Sequence, residues 1–294
     1  MKKVIILNKK EGETPLSALE NFRKKNPKYF NIPITYAGRL DPMASGVLVL
    51  LAGEEAKNKE KYLALDKEYN FSVLFGFSTD TYDILGKVVE RPLGNEFFSL
   101  LDNDSPLAFA HQRGLTQASA IFPLRGTKQN CLQGTLRIHY LASGKNLFGS
   151  LIKKNLKYFK GKLKQKYPIY SSKTVKGKPL FSYARSGEDV EIPERNILIK
   201  KINLEKIRKI NNKKLLENIE KRIKKVKGDF RQKEILRIWK KKLCNRNIFY
   251  VADFRIKCTS GTYMRAIANS LGEKIGIPAL AFSIKRTKLG KFSI

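Results

Sequence analysis

Histidine is almost absent. The chain of 294 residues holds two, His111 and His139, so a Ser-His-Asp centre or a histidine-rich metal site has little to be built from. Cysteine is scarce as well. Cys131, Cys244 and Cys258 are odd in number and far apart, which excludes a disulfide framework and a zinc cluster. No run of roughly eighteen apolar residues occurs, so no transmembrane helix is expected. The apolar run at 4–7 is too short for a signal-peptide core and reads as a buried strand. A cytoplasmic protein without metal or cofactor is the default.

Acidic residues are also few: 26 against 59 lysines and arginines, a net charge of +33. Such an excess suits a polyanion, because lysines that neutralise phosphates release bound counterions. Lys, Asn and Ile are all frequent, so coding bias accounts for part of the excess. Nucleic acid is still the expected partner, and charge does not choose between RNA and DNA. A hydrophobic content of 42% over this length supports one large domain or two smaller ones with a sizeable core.

The most distinctive stretch is 35–51. Asp41 stands between Gly38 and Pro42, followed by the small residues Ala44, Ser45 and Gly46 and an apolar run. Proline pushes the residue before it out of the α region and fits a first helical turn. Asp41 is therefore expected in an extended or turn conformation where a loop meets a short helix. The plain alternative is an Asp-Pro turn with Asp41 as a helix N-cap, and local sequence alone favours it.

Other elements follow from periodicity. Thr14-Pro15 caps a helix to about Lys25 with Leu16, Leu19 and Phe22 on its apolar face. Residues 47–51 and 69–75 read as strands, 53–65 as helical, and 77–86 as a polar turn. Residues 92–149 carry five basic residues in 58 and read as an added loop, with 129–140 able to form a strand. Leu180, Tyr183 and Ala184 have helical spacing, and Arg185 follows near the end of that short helix. Residues 192–202 and 249–258 read as strands, and 259–265 lead into a helix to about Lys274. Residues 203–246, with 17 basic and 5 acidic residues, read as a basic helical hairpin broken at 227–229. One face carries Leu216, Ile219, Ile223 and Val226, the other Leu236, Trp239 and Leu243. The hairpin either packs on the body or serves as a phosphate-binding arm, and the arm is preferred.

Residues 38–48, Gly-Arg-Leu-Asp-Pro-Met-Ala-Ser-Gly-Val-Leu, resemble the catalytic loop of the TruB family of tRNA pseudouridine synthases. That family's pattern is Gly-His-Thr-Gly-x-Leu-Asp-Pro-x-Ala-Thr-Gly-x-Leu. Lys9, Gly12 and Thr14 match its Lys-Pro-x-Gly-x-Thr/Ser, with Lys10 in place of the proline. Lys67, Tyr69, Gly76, Thr79, Asp80, Thr81, Asp83 and Gly86 match its Lys-x-Tyr strand and Thr-Asp-Thr-x-Asp-x-x-Gly. Residues 167–172 and 177–187 resemble Pro-x-Tyr-Ser-Ala and Gly-x-x-Leu-Tyr-x-x-Ala-Arg-x-Gly. Residues 258–265 and 285–292 resemble Cys-Ser-x-Gly-Thr-Tyr-Ile-Arg and the closing Leu-Arg-Arg-Thr-x-x-Gly-x-Phe. There are departures. The family histidine falls on Tyr36, Arg39 stands where a small residue is usual, and a family lysine falls on Thr174.

The resemblance implies an α+β pseudouridine synthase fold, a mixed, mostly antiparallel sheet with flanking helices and a central catalytic cleft. It implies a single domain over 1–294, with insertions at 92–149 and 203–246 and no room for the family's C-terminal PUA domain. The implied reaction is isomerisation of the T-loop uridine of tRNA (position 55). The N1–C1′ bond breaks, the uracil turns, and C5 bonds to C1′, with no cofactor and no metal. Asp41 would be the carboxylate, either as nucleophile at C1′ or as base on the sugar. Arg185 would pair with Asp41. Tyr69 would stack on the flipped uracil, and its hydroxyl would help to move the C5 proton. Lys9, Tyr36, Arg39, Tyr183, Met264 and Arg265 would contact the substrate, Tyr36 by stacking and Met264 on the apolar wall. Flipping a base costs a few kcal/mol that such contacts must offset. The expected partner is a tRNA T-stem-loop, bound by a monomer away from any membrane. The main rival is a basic RNA-binding protein without catalysis, acting in tRNA folding or ribosome assembly. A DNA-binding structural protein would explain the charge but none of the motifs.

Overall fold

Along the chain, β1 (Val4–Lys9) leads into α1 (Pro15–Lys25), and β2 (Ile34–Ala37) precedes β3 (Ala44–Ala52). Then come α2 (Lys59–Leu63), β4 (Lys67–Phe75) and the short pair β5 (Ser78–Thr79) and β6 (Val88–Val89). The computed structural model describes residues 3–90, 145–243 and 248–294. Most of the 92–149 segment, including 129–140 and both histidines, lies outside the described residues. The chain resumes with α3 (Lys145–Asn155), β7 (Gly161–Lys166), the pair β8 (Thr174–Val175) and β9 (Lys178–Pro179), and α4 (Leu180–Ser186). The last part comprises β10 (Glu194–Asn211), α5 (Asn212–Ile223), α6 (Gln232–Lys242), β11 (Ile248–Cys258), α7 (Met264–Ile275), β12 (Ala279–Leu289) and β13 (Phe292–Ser293).

The main sheet runs β1-β3-β12-β4-β11-β10-β7, with β2 beside β3 and β13 beside β12. The β3–β12 ladder is parallel, and its neighbours β1–β3, β12–β4, β11–β4 and β10–β11 are antiparallel. The fold is α+β with a mixed, mostly antiparallel sheet, as expected. The two-residue period of β4 divides the core. Tyr69, Phe71, Val73 and Phe75 share one face with Phe148 and Ile152 of α3 and Ile267, Leu271 and Ile275 of α7. Leu74 faces the other way and joins Leu215, Ile219 and Ile223 of α5 and Ile235 and Trp239 of α6. The indole of Trp239 is fully buried and donates to the Ile84 carbonyl at 3.3 Å.

Three expectations change. β1 lies at the edge of the sheet, so its apolar run is only half covered and Ile6 is exposed. No helix follows Pro42. The Ala44 N–H closes a turn on the Asp41 carbonyl at 2.9 Å, and Ala44, Ser45 and Gly46 then pair with Ile284, Lys285 and Arg286 of β12. Strand pairing captures residues that proline alone would allow to start a helix. Gly46 makes that pairing possible, since a Cβ there would sit 2.1 Å from the Arg286 carbonyl oxygen. The basic hairpin is also packed down rather than free. Residues 203–211 continue β10 against β11, and α5 and α6 cover one face of the sheet.

Fasteners hold the helix pair in place. Arg222 forks onto Glu11 at 2.9 and 2.7 Å, and Lys87 pairs with Glu234 at 2.7 Å. Gly12 takes φ +92° and leaves no room for a Cβ, which would lie 2.5 Å from the Lys225 carbonyl oxygen. The Gly12 N–H donates to the Pro42 carbonyl at 2.8 Å, so the same turn supports the Asp41 loop.

Candidate active site

Asp41 sits at the mouth of a cleft of about 1010 Å³ lined by residues from β4, the β5–β6 turn, the start of α7 and the turn before α6. Its carboxylate is 34% exposed and is gripped by Arg265. Arg265 Nε donates to Asp41 Oδ2 at 2.7 Å, and Nη2 donates to Oδ1 at 3.1 Å. A planar guanidinium matches a carboxylate in this two-point way and fixes its direction as well as its charge. Arg265 Nη1 also donates to the Thr81 carbonyl at 2.7 Å, and Nη2 to the Tyr170 carbonyl at 3.2 Å. Asp83 lies 3.7 Å from Arg265 Nε on a second side.

The expected pairing of Asp41 with Arg185 is thus corrected. Arg185 lies on the last turn of α4, stacks near Phe181 at 5.7 Å, and donates to the Asp229 carbonyl at 3.3 Å on the exposed side. Arg265 is the second residue of α7, inside an apolar helix (Met264, Ala266, Ile267, Ala268), and its side chain is 4% exposed. A guanidinium buried there needs carboxylates nearby. A charge inside an apolar helical run was the signal in the sequence. Asp83, missed as a site residue, was signalled by the Thr-Asp-Thr-x-Asp motif.

Burial disfavours charge on Arg265, but Asp41 and then Asp83 outweigh it and raise its pKa above the ordinary guanidinium value. Asp83 feels burial most, which pushes its carboxyl up to about 6 despite Arg265 and the Thr81 hydroxyl, which donates to it at 2.8 Å.

Tyr69 and Met264 line the cleft, and both are buried. Burial pushes the Tyr69 phenol up to about 12, so it stays protonated at neutral pH. Across the β4–β12 ladder Tyr69 faces Arg286. Arg286 is buried, donates through Nε to the Val47 carbonyl at 2.8 Å, and its Nη2 has no partner among the described residues. Its signal in the sequence was the closing motif over 285–292, where Arg286 precedes Thr287. Tyr36, Arg39 and Arg185 lie along the same cleft.

Lys9 and Tyr183 are placed elsewhere. Lys9 is buried behind the Asp41 loop, where its ammonium donates to the carbonyls of Ala44 and Lys10, and burial lowers its pKa to about 8. Tyr183 is buried on α4 and donates to the Val175 carbonyl at 3.0 Å. Both side chains shape their surroundings without lining the cleft. Among the described residues no three His, Cys, Asp or Glu side chains gather as metal ligands would, and no helix is long and apolar enough to cross a membrane.

A family model described as TruB family pseudouridylate synthase (N terminal domain) matches residues 28–114 and 133–230. The tRNA pseudouridine synthase B of Caldicellulosiruptor saccharolyticus is 27% identical over 294 residues, covering 100% of this chain and 69% of its own length. The enzyme of that name from Caldanaerobacter subterraneus subsp. tengcongensis is 27% identical over 261 residues, covering 89% of this chain and 60% of its own. That of Lactobacillus acidophilus is 27% identical over 292 residues, covering 99% and 69%. The chain therefore spans about three fifths to seven tenths of these relatives.

Proposed function

The chain belongs to the TruB family of pseudouridylate synthases, and from that premise we propose that it converts the T-loop uridine of tRNA (position 55) to pseudouridine. The observation that carries this reading is Asp41, held two-point by a buried arginine at the mouth of a basic cleft that also contains Tyr69. Asp41 acts on the ribose, as nucleophile at C1′ or as base on the sugar, while Arg265 holds its direction. The freed uracil turns against Tyr69 and Met264 before C5 bonds to C1′. Tyr69, protonated at rest, stacks on the ring, and its hydroxyl helps to move the C5 proton to solvent or to a neighbouring base.

The wider surface fits a polyanion. Tyr36, Arg39 and Arg185 lie where flanking nucleotides enter, and an aromatic ring beside guanidinium groups suits splayed bases and phosphates. In this reading the protein works as a monomer on a T-stem-loop in the cytoplasm, and the net charge of +33 supports the polyanion partner.

The test uses an unmodified tRNA transcript tritiated at uridine C5. Isomerisation makes C5 the glycosidic carbon, so its hydrogen is released to water. Tritium release mapped to the T-loop uridine is the expected result. Tight binding of the transcript with no release would overturn the catalytic reading and leave an RNA-folding role in its place.

A further inference from the structure

The α5–α6 segment is basic, and Phe230 and Arg231 of the turn between its helices line the cleft. Arg231 heads α6 with φ +62°, a left-handed backbone that strains a residue with a side chain. The turn is over-determined in that shape. The Arg231 N–H donates to Asp229 Oδ1 at 3.1 Å, and the Phe230 N–H donates to Gln232 Oε1 at 2.8 Å. The Gln232 amide donates in turn to the Val226 and Gly228 carbonyls at 3.1 and 2.6 Å.

This backbone turns the Arg231 guanidinium inward. Nη1 donates to Asp80 Oδ2 at 2.8 Å and to the Tyr170 hydroxyl at 2.9 Å, and the guanidinium carbon lies 4.5 Å from the Tyr170 ring centroid. The carbonyl of Tyr170 accepts from Arg265 Nη2, the same nitrogen that holds Asp41 Oδ1. A chain of direct contacts thus runs from the helix pair through Arg231 and Tyr170 to the Asp41–Arg265 pair. An arginine meant for phosphate would present a free cation. This one is matched by Asp80, and its side chain is only 22% exposed.

We propose that Arg231 is a positioning residue for the Asp41–Arg265 pair, acting through Tyr170, and that α5–α6 braces the cleft instead of reaching for phosphates. The proposal rests on the pseudouridine synthase reading above. Strained backbone over-determined by its surroundings is what a positioning role requires, and a surface phosphate contact would not need it.

The test compares the unmutated protein with Arg231→Gly and Arg231→Lys. Glycine accepts the left-handed φ without strain, so the variant loses the side chain while keeping the turn, and thermal unfolding checks that it folds. Single-turnover pseudouridine formation at saturating tRNA should fall about tenfold or more in Arg231→Gly, as for small misplacements of catalytic groups. The tRNA Kd should stay within about twofold and its salt dependence unchanged, since no phosphate contact is lost. Arg231→Lys, which keeps the charge beside Asp80, should recover part of the rate. An unchanged rate at saturation overturns the proposal, whether tRNA binding is unchanged or weakened. A weaker Kd with a salt slope reduced by about one would identify a phosphate contact. Unmutated protein that makes no pseudouridine overturns the parent reading and this role with it, whereas an active parent with an unaffected glycine variant overturns this role alone.

Discussion

Replacing Arg265 by methionine should cost the protein both stability and chemistry, and the size of the loss follows from its contacts. Methionine keeps an apolar stem of similar length but removes both bonds to Asp41 and those to the Thr81 and Tyr170 carbonyls. It also leaves Asp83, 7% exposed, without the cation 3.7 Å away. Removing one partner of a buried pair costs about 3–5 kcal/mol. The lower end applies here, because Asp41 is about a third open to water and Asp83 can take up a proton near neutral pH. About 3 kcal/mol is expected, a fall in Tm of about 6–12 °C at roughly 2–4 °C per kcal/mol. Calorimetry reads the stability, and single-turnover pseudouridine formation should drop at least about a hundredfold. Arg185→Met is the control. Its 3.3 Å bond to the Asp229 carbonyl lies on the exposed side, so stability should change by less than about 0.5 kcal/mol and any effect should be on tRNA binding. Equal losses in the two variants, or a normal rate in Arg265→Met, would refute the assignment of the Asp41 partner.

Asp83→Asn tests the second carboxylate through pH. Burial raises Asp83 from 3.8 to about 6. The folded protein therefore holds this proton more tightly than the unfolded chain, and stability from this group is lost as pH rises from about 4 through about 6. The difference in urea midpoint, asparagine variant minus unmutated protein, should grow between pH 4.5 and 7, and a constant difference would contradict the raised value. Tyr69→Phe keeps the ring but not the hydroxyl, so tRNA binding should persist while the single-turnover rate falls about a hundredfold, within the range of acid–base groups. A normal rate would assign Tyr69 to stacking alone.

Local signals were reliable where a single pattern dominates. The Thr14 cap of α1 appears with its reciprocal bond to Ser17, and the alternation after Lys67 is the central strand. The short helix with Arg185 ends on Gly187 in the left-handed conformation that glycine accepts. Long-range pairing was less legible. Residues after Pro42 become strand because β12 lies beside them, and β10 extends to Asn211 because β11 is long enough to match it. Asp41 and Tyr69 were found through motifs, but the partner of Asp41 depends on which arginine the fold brings to it. Both candidates lie near helix ends, and only tertiary packing buries Arg265 while leaving Arg185 in solvent. The charge of the 203–246 segment hid its apolar faces, which bury Trp239, Ile235 and Ile219 against the sheet.

The most direct test of the central claim is pseudouridine formation by Asp41→Asn on an unmodified tRNA transcript, with tRNA binding measured beside it. Asparagine keeps the shape of Asp41 but can neither attack C1′ nor take a proton from the sugar. Product at the T-loop uridine should disappear while the transcript still binds with near-normal affinity. Product formed by Asp41→Asn at the unmutated rate would contradict it.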